Sequence, residues 1–220
     1  MRYKYLLVFW LFFAISGWSQ NEYPKDYFVN PLEIPIILSG TFGELRSNHF
    51  HAGLDIKTQK QEGHRVLAAA DGYVSRINVS LWGYGNALYV THPNGYTTVY
   101  GHLKQFSPEI EAYVKKKQYA KKSFTIRLYP KSDELIVKKG ELIALSGNSG
   151  SSGGPHLHYE VREVKSNILN PMLFGVVVPA HKNPSIQAAF AYVRNSESHV
   201  NQSEKPVELV LNRQADGDLR

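Results

Sequence analysis

From Thr41 to Pro171, apolar residues come in short runs broken by glycine, the pattern of an antiparallel β domain. Val66 to Ala70 and Tyr73 to Val79 flank Asp71-Gly72 and predict two strands joined by a tight turn. Ala87 to Thr91 and Tyr96 to Tyr100 flank His92-Pro93-Asn94-Gly95, and Asn-Gly is a strong hairpin signal. Leu135 to Val137 and Glu141 to Leu145, separated by Lys138-Lys139-Gly140, predict a second hairpin, and Leu157 to Val164 a further strand. Asn21 to Gly40, carrying Pro24, Pro31 and Pro35, reads as an extended lead-in with turns. No amphipathic helical stretch competes with these elements. The fold class is mainly β.

Two segments stand apart. Ser107 to Pro130 holds Lys115-Lys116-Lys117 and Lys121-Lys122, then the alternating Phe124 to Tyr129. It reads as an inserted hairpin or short helix beside the site, and a solvated charged loop is the plainer alternative because charge runs are usually exposed. Ala180 to Arg220 contains two strand-like runs, Ile186 to Val193 and Val207 to Leu211. This short C-terminal β-like extension reads as the start of a second β module cut short, or as a loose tail.

The first residues carry a processing signal. Arg2 and Lys4 form a basic start, Tyr5 to Trp18 is apolar, and Gly17 and Ser19 place small residues at −3 and −1 of a cut before Gln20. The run is short for a spanning helix, so an uncleaved membrane anchor is the lesser reading and no stable span is expected after cleavage. With no Cys in the chain, disulfides, thiolate metal ligands and lipid attachment through an N-terminal Cys are excluded. Losing Arg2 and Lys4 leaves 23 basic and 19 acidic residues, a net +4. That mild charge suits an anionic envelope polymer, and no nucleic-acid signature accompanies it.

Nine histidines are the chemical content of the sequence. His156-Leu157-His158 enters a strand, where alternate side chains share a face, so both imidazoles project to one side. His51 and Asp55, four apart, share a face of either a strand or a helical turn. Two imidazoles and a carboxylate make a three-ligand zinc set with a fourth position for water. A metal held so acidifies water and polarises a carbonyl, as hydrolysis of an amide requires. His156, two residues from a ligand on the same face, and His102, in Tyr100-Gly101-His102-Leu103, are the spare imidazoles in suitable contexts. The run Gly147 to Gly154, including Asn148, Ser149 and Gly154, leads into His156. It is a candidate for substrate contact through backbone N–H groups, or only a flexible turn.

His51-Ala52-Gly53-Leu54-Asp55, Tyr100-Gly101-His102-Leu103 and Gly154-Pro155-His156-Leu157-His158-Tyr159-Glu160-Val161 resemble, in order, the three motifs of the lysostaphin-type (LytM-like) zinc metallopeptidases. Thr41-Phe42-Gly43-Glu44-Leu45-Arg46 resembles their lead-in, and Val137 to Gly150 their approach to the last motif. The resemblance covers about residues 38–174 apart from the insertion at 107–130. It implies a single antiparallel β domain with a long groove and one zinc ion on its floor. By it, His51, Asp55 and His158 are the metal ligands, and His156 is the catalytic base. His102 orients water or stabilises the oxyanion, and the substrate is a peptide of peptidoglycan. His49 repeats the His-x-His spacing with His51, so either imidazole fits that register, with Gly53 and Asp55 favouring His51. In some relatives an upstream side chain blocks the metal; Asn30 and Asn48 are the candidates here.

The resulting organisation is a signal peptide at 1–19, a lead-in at 20–37, a peptidase domain at 38–174 and an extension at 175–220. The chain is expected to be exported to the periplasm or envelope and to act as a monomer. The alternatives are a non-catalytic relative that binds the wall or activates another hydrolase, and a zinc enzyme acting on a protein. A serine or cysteine hydrolase is poorly supported, for want of Cys and of a Gly-x-Ser-x-Gly elbow.

Overall fold

A computed structural model describes residues 23–163, 167–179, 188–193 and 205–210. The expected signal segment lies outside the described residues. The chain divides into two compact units, with the boundary after Pro179.

The first unit is built on antiparallel strands in the order β1 (Leu38–Gly40), β2 (Leu54–Lys57), β10 (His156–Glu163), β6 (Tyr96–Phe106), β5 (Asn86–Thr91), β4 (Gly72–Val79) and β7 (Ile126–Leu128). Off this path, β3 (Arg65–Leu67) pairs with β9 (Leu142–Ser146), which also pairs with β6. β8 (Ile136–Val137) pairs with β4, and β11 (Ile168–Leu169) with β10. The mainly β, antiparallel class read from the sequence is the class observed.

The Asn94-Gly95 turn joins β5 to β6 as a hairpin. The other two predicted local pairings do not form. β3 pairs with β9 rather than with β4, and β8 pairs with β4 rather than with β9. The turn at 138–140 is present, closed by Glu141 N–H on the Lys138 carbonyl at 2.9 Å, but it leads from one partner to another. Turn residues fix where a chain reverses; the faces that need burial fix which strands meet.

The insertion is a helix followed by a strand. α1 (Pro108–Lys121) starts with proline in its first turn and Glu109 and Glu111 beside the helix N-terminus. It ends at Lys122, whose left-handed backbone (φ 50°) turns its N–H back to the carbonyls of Gln118 and Tyr119. Only Ile110 and Val114 are buried, one turn apart, so the apolar stripe is too thin to show in the hydrophobic pattern. Both belong to the main core. β7 then buries Ile126 and Leu128 against β4.

The core lies beneath β2, β10 and β6. Leu54 and Ile56, then Leu157, Tyr159 and Val161, are inaccessible to solvent and alternate with the polar residues of the opposite face. The lead-in contributes Phe28, Leu32 and Ile36 to it. Phe28 meets Phe174, at the end of a 3-10 turn (Pro171–Phe174), with ring centroids 5.6 Å apart. Among the described residues no helix is long and apolar enough to cross a membrane. In the second unit, β12 (Ala189–Ala191) and β13 (Val207–Leu209) form an antiparallel pair; residues 188, 192, 193 and 210 of the two predicted runs fall outside these strands, and 186, 187 and 211 lie outside the described residues.

Because Ile110 is a core residue, Ile110→Ala should lower stability by about 2–5 kcal/mol, while Lys116→Gln with Lys121→Gln should change it by less than about 0.5 kcal/mol. Urea unfolding midpoints of the variants check both.

Candidate metal and active site

The site arises from cross-strand register. In the β2–β10 ladder Asp55 stands opposite His158 and Lys57 opposite His156, all on the face turned away from the core. The hydrogen-bonded ladder on the other side of β10 sets His158 against Gly101 of β6. His51 enters just before β2, with its N–H on the Glu44 carbonyl at 2.8 Å. Gly53, between His51 and Asp55, passes so close to β10 that a Cβ there would lie 2.3 Å from the Tyr159 carbonyl oxygen.

Three donor atoms converge. His51 Nε2 lies 3.0 Å from Asp55 Oδ1 and 3.1 Å from His158 Nδ1, and the third side of the triangle, His158 Nδ1 to Asp55 Oδ1, is 2.8 Å. The opposite nitrogens fix the tautomers. His51 Nδ1 lies 2.8 Å from the Thr41 carbonyl and must donate to it, leaving Nε2 a lone pair. His158 Nε2 lies 2.8 Å from the Glu160 carboxylate and donates there, leaving Nδ1 a lone pair. Two neutral imidazoles and one carboxylate therefore aim electron pairs at one small space, which only a cation reconciles. Burial works against an imidazolium at His158, yet hydrogen bonds to Asp55 and Glu160 outweigh it and raise its pKa. Burial likewise opposes charge on Asp55, but the imidazoles of His156, His158 and His51 crowded round it, whenever one of them carries the extra proton, win and hold the carboxyl well below the usual range. Without a metal, a proton fills the triangle; a divalent ion with nitrogen and oxygen preferences fits the same donor set.

Two further imidazoles border it. His156 Nε2 is 3.5 Å from Asp55 Oδ1, and its Nδ1 is held by the Gly154 carbonyl at 2.8 Å. His102 is held by the Ser149 carbonyl at 2.8 Å, and its ring lies 4.7 Å from that of His156. His102 takes a left-handed backbone (φ 58°), uncommon for a residue with a side chain, where β6 changes partner from β10 to β9. Burial, chiefly, pulls its pKa down to about 4. The five residues singled out in the sequence thus meet in one place. His49 does not join the triangle: it lines the cleft with its Nδ1 on Asn48 Oδ1 at 2.6 Å. Asn30 is exposed, and neither asparagine lines the cleft.

The three loop positions proposed for substrate contact are placed differently. Asn148 is exposed and outside the cleft lining. The Ser149 hydroxyl donates to the Leu103 carbonyl at 2.8 Å and accepts the Asn86 N–H at 2.9 Å, so it holds the loop rather than facing the cleft. Gly154 lines the neighbouring arm of the groove. The glycine-rich run is not slack: Gly150 (φ 74°) lies so close to Gly85 that a Cβ would overlap its backbone, and Ser151 N–H bonds the Gly83 carbonyl at 2.8 Å.

Three supporting residues had no assigned role in the sequence reading. Glu160, inaccessible to solvent, holds His158 Nε2, the Tyr84 hydroxyl and Arg162 Nε. Tyr84 also stacks on His158, with centroids 4.8 Å apart. Arg46 Nη2 takes the second oxygen of Asp55 at 2.9 Å, leaving Oδ1 for the triangle. Glu160 shares the alternation of His156 and His158, a signal that was present; a loop aromatic such as Tyr84 has none.

The cleft over the triangle is about 420 Å³, lined by Arg46, His51, Tyr84, His102, Ser152 and His156 among others. A second arm of about 560 Å³ shares Arg46, Asp55, Gly153 and His156 with it, so the triangle sits at the junction of one elongated groove.

The chain is 32% identical over 147 residues to the DD-carboxypeptidase/endopeptidase Mpg of Neisseria meningitidis serogroup B, which covers 67% of this chain and 27% of that protein. It is 29% identical over 134 residues to the murein hydrolase activator NlpD of Escherichia coli, covering 61% and 28%. The chain thus spans about a quarter of the length of these curated relatives. A chain of the SpoIIQ-SpoIIIAH pore-forming complex shares the fold at a TM-score of 0.50 and 20% identity, over 68% of this chain and 91% of that one. The family model for peptidase family M23 matches residues 49–126 and 127–171, more than half of the sequence. The chain belongs to peptidase family M23.

Proposed function

We propose that this chain is an exported zinc metalloendopeptidase that hydrolyses peptide cross-links or stem peptides of bacterial peptidoglycan. The observation that carries the reading is the triangle of three inward lone pairs from His51, Asp55 and His158, on the floor of an open groove. These three residues would hold zinc, which when bound acidifies a water and polarises the scissile carbonyl. The wall as substrate follows the Mpg relative, which is a carboxypeptidase and endopeptidase by its name. Export rests on the apolar start of the chain.

The remaining residues have separable tasks. His156, whose Nδ1–H is spent on Gly154, presents Nε2 as a lone pair beside Asp55 and takes the proton from the attacking water. His102, with Nδ1–H spent on Ser149 and its pKa near 4, is neutral at neutral pH and presents an acceptor. It therefore orients water rather than donating to an oxyanion. Glu160 fixes the His158 ring and, as a carboxylate behind a ligating imidazole, strengthens its donor nitrogen. The groove leaves room for an extended peptide across the junction. The NlpD relative favours a second reading, activation of another hydrolase without catalysis. Retention of all three ligands and both spare imidazoles weighs for the enzyme.

His158→Ala should abolish zinc retention and release of fragments from purified sacculi, whereas His156→Ala should retain zinc and lose turnover by about 10²-fold or more. Elemental analysis with mass spectrometry of released fragments separates these outcomes, and full wall cleavage by either variant would refute the assignment. Glu160→Gln should weaken zinc binding by about 10–100-fold, read by competition with a chromogenic chelator. Zinc must displace the proton that His158 holds, so affinity should fall with falling pH, by up to about tenfold per unit below the raised pKa of His158. His102, already neutral down to about pH 4, should add nothing to that slope near neutrality. A zinc affinity flat between pH 5 and 8 would contradict the tautomer scheme.

A further inference from the structure

We propose that the second arm of the groove is a carboxylate subsite, formed by Lys57, Lys60 and Arg46, which selects peptides bearing a free carboxylate one or two residues from the scissile bond. The proposal rests on the peptidase reading and adds to it a substrate class and a direction along the groove.

The arm is lined by three cationic side chains, Arg46, Lys57 and Lys60, and by one carboxylate, Asp55, whose second oxygen Arg46 already holds. No carboxylate among the described residues pairs with Lys57 or Lys60. Arg46 spends Nη2 on Asp55 and Glu44, and its buried Nε has no partner. The arm thus carries uncompensated positive charge beside the metal triangle.

Register places that charge. Asp55 and Lys57 are alternate residues of β2 on one face, opposite His158 and His156. Two residues of strand span about 6.8 Å, so the Lys57 backbone stands at the next same-face cross-strand pair beyond Asp55 and His158. An extended peptide repeats at about 3.4 Å per residue, and a carboxylate on the residue next to the scissile carbonyl, or one further, falls within reach of a lysine stem. Lys60 is brought to the same arm by a tight turn in which Gln59 (φ 56°) and Lys60 (φ 62°) are both left-handed. Side chains disfavour this conformation. It is held by Gln61 N–H on the Thr58 carbonyl at 2.9 Å and by Thr58 Oγ1 on the Gln61 carbonyl at 2.7 Å. Glycine would adopt such a turn freely, yet lysine occupies it and is delivered to the groove lining.

The test uses zinc-loaded full chain carrying His156→Ala, so that ligands bind without turnover. Titration calorimetry compares N-acetyl-L-lysyl-D-alanyl-D-alanine as the free acid with its C-terminal amide. The acid should bind about fivefold more tightly at low salt, with the preference shrinking as NaCl rises. Adding Lys57→Gln and Lys60→Gln should remove the preference, whereas Lys57→Arg should keep it, with zinc stoichiometry and melting temperature unchanged in both. Equal binding of acid and amide, a preference that survives the double substitution, or binding of neither peptide would each overturn the subsite. The peptidase reading is judged apart from these, by zinc-dependent release of fragments from sacculi by the unsubstituted chain.

Discussion

Three electron pairs pointed at one another within about 3 Å repel unless something positive lies between them, and this constraint organises the first unit. While both imidazoles are neutral, His51, Asp55 and His158 cannot satisfy one another by hydrogen bonding, because both rings have already given their protons outward. The surrounding structure is arranged to keep them so. Arg46 occupies the free oxygen of Asp55, Glu160 and Tyr84 fix His158, and the β2–β10 register keeps carboxylate and imidazole opposed. Each of these contacts would cost desolvation energy for little return if the centre stayed empty. On the proposed zinc reading, a cation at the centre is what those contacts serve.

The two faces of β10 show how the same strand serves folding and chemistry. Leu157, Tyr159 and Val161 bury against the core, and that burial fixes the register. A slip of one residue would exchange the core set for His156, His158 and Glu160, placing two imidazoles and a carboxylate among apolar side chains. The energetic penalty for that slip is what makes the site geometry reproducible.

Much of this was legible in the sequence because alternation is a local property. The shared face of His156 and His158 and the Asn94-Gly95 hairpin each depend on neighbours a few positions apart, and both are as expected. Pairings between distant strands were not legible: the segments around 66–79 and 135–145 contain turns, yet their strands pair elsewhere. The sequence offers helix α1 only as an alternative to a hairpin, because two buried residues in fourteen leave almost no periodic trace. Arg46 and Tyr84 act through contacts that only the folded chain creates, whereas Glu160 was visible in principle through its even spacing from His158.

The orienting groups around the histidines differ in kind. His51 and His102 are each aimed by a main-chain carbonyl, of Thr41 and Ser149, and His156 by the Gly154 carbonyl with the Ser152 hydroxyl 3.2 Å away, while His158 is aimed by a carboxylate. A single base change in the gene can delete a carboxylate but never a peptide oxygen. Over generations of sequence drift, a ring held by a peptide oxygen is insulated from point mutation of that partner, whereas a lone codon change at position 160 can unseat His158.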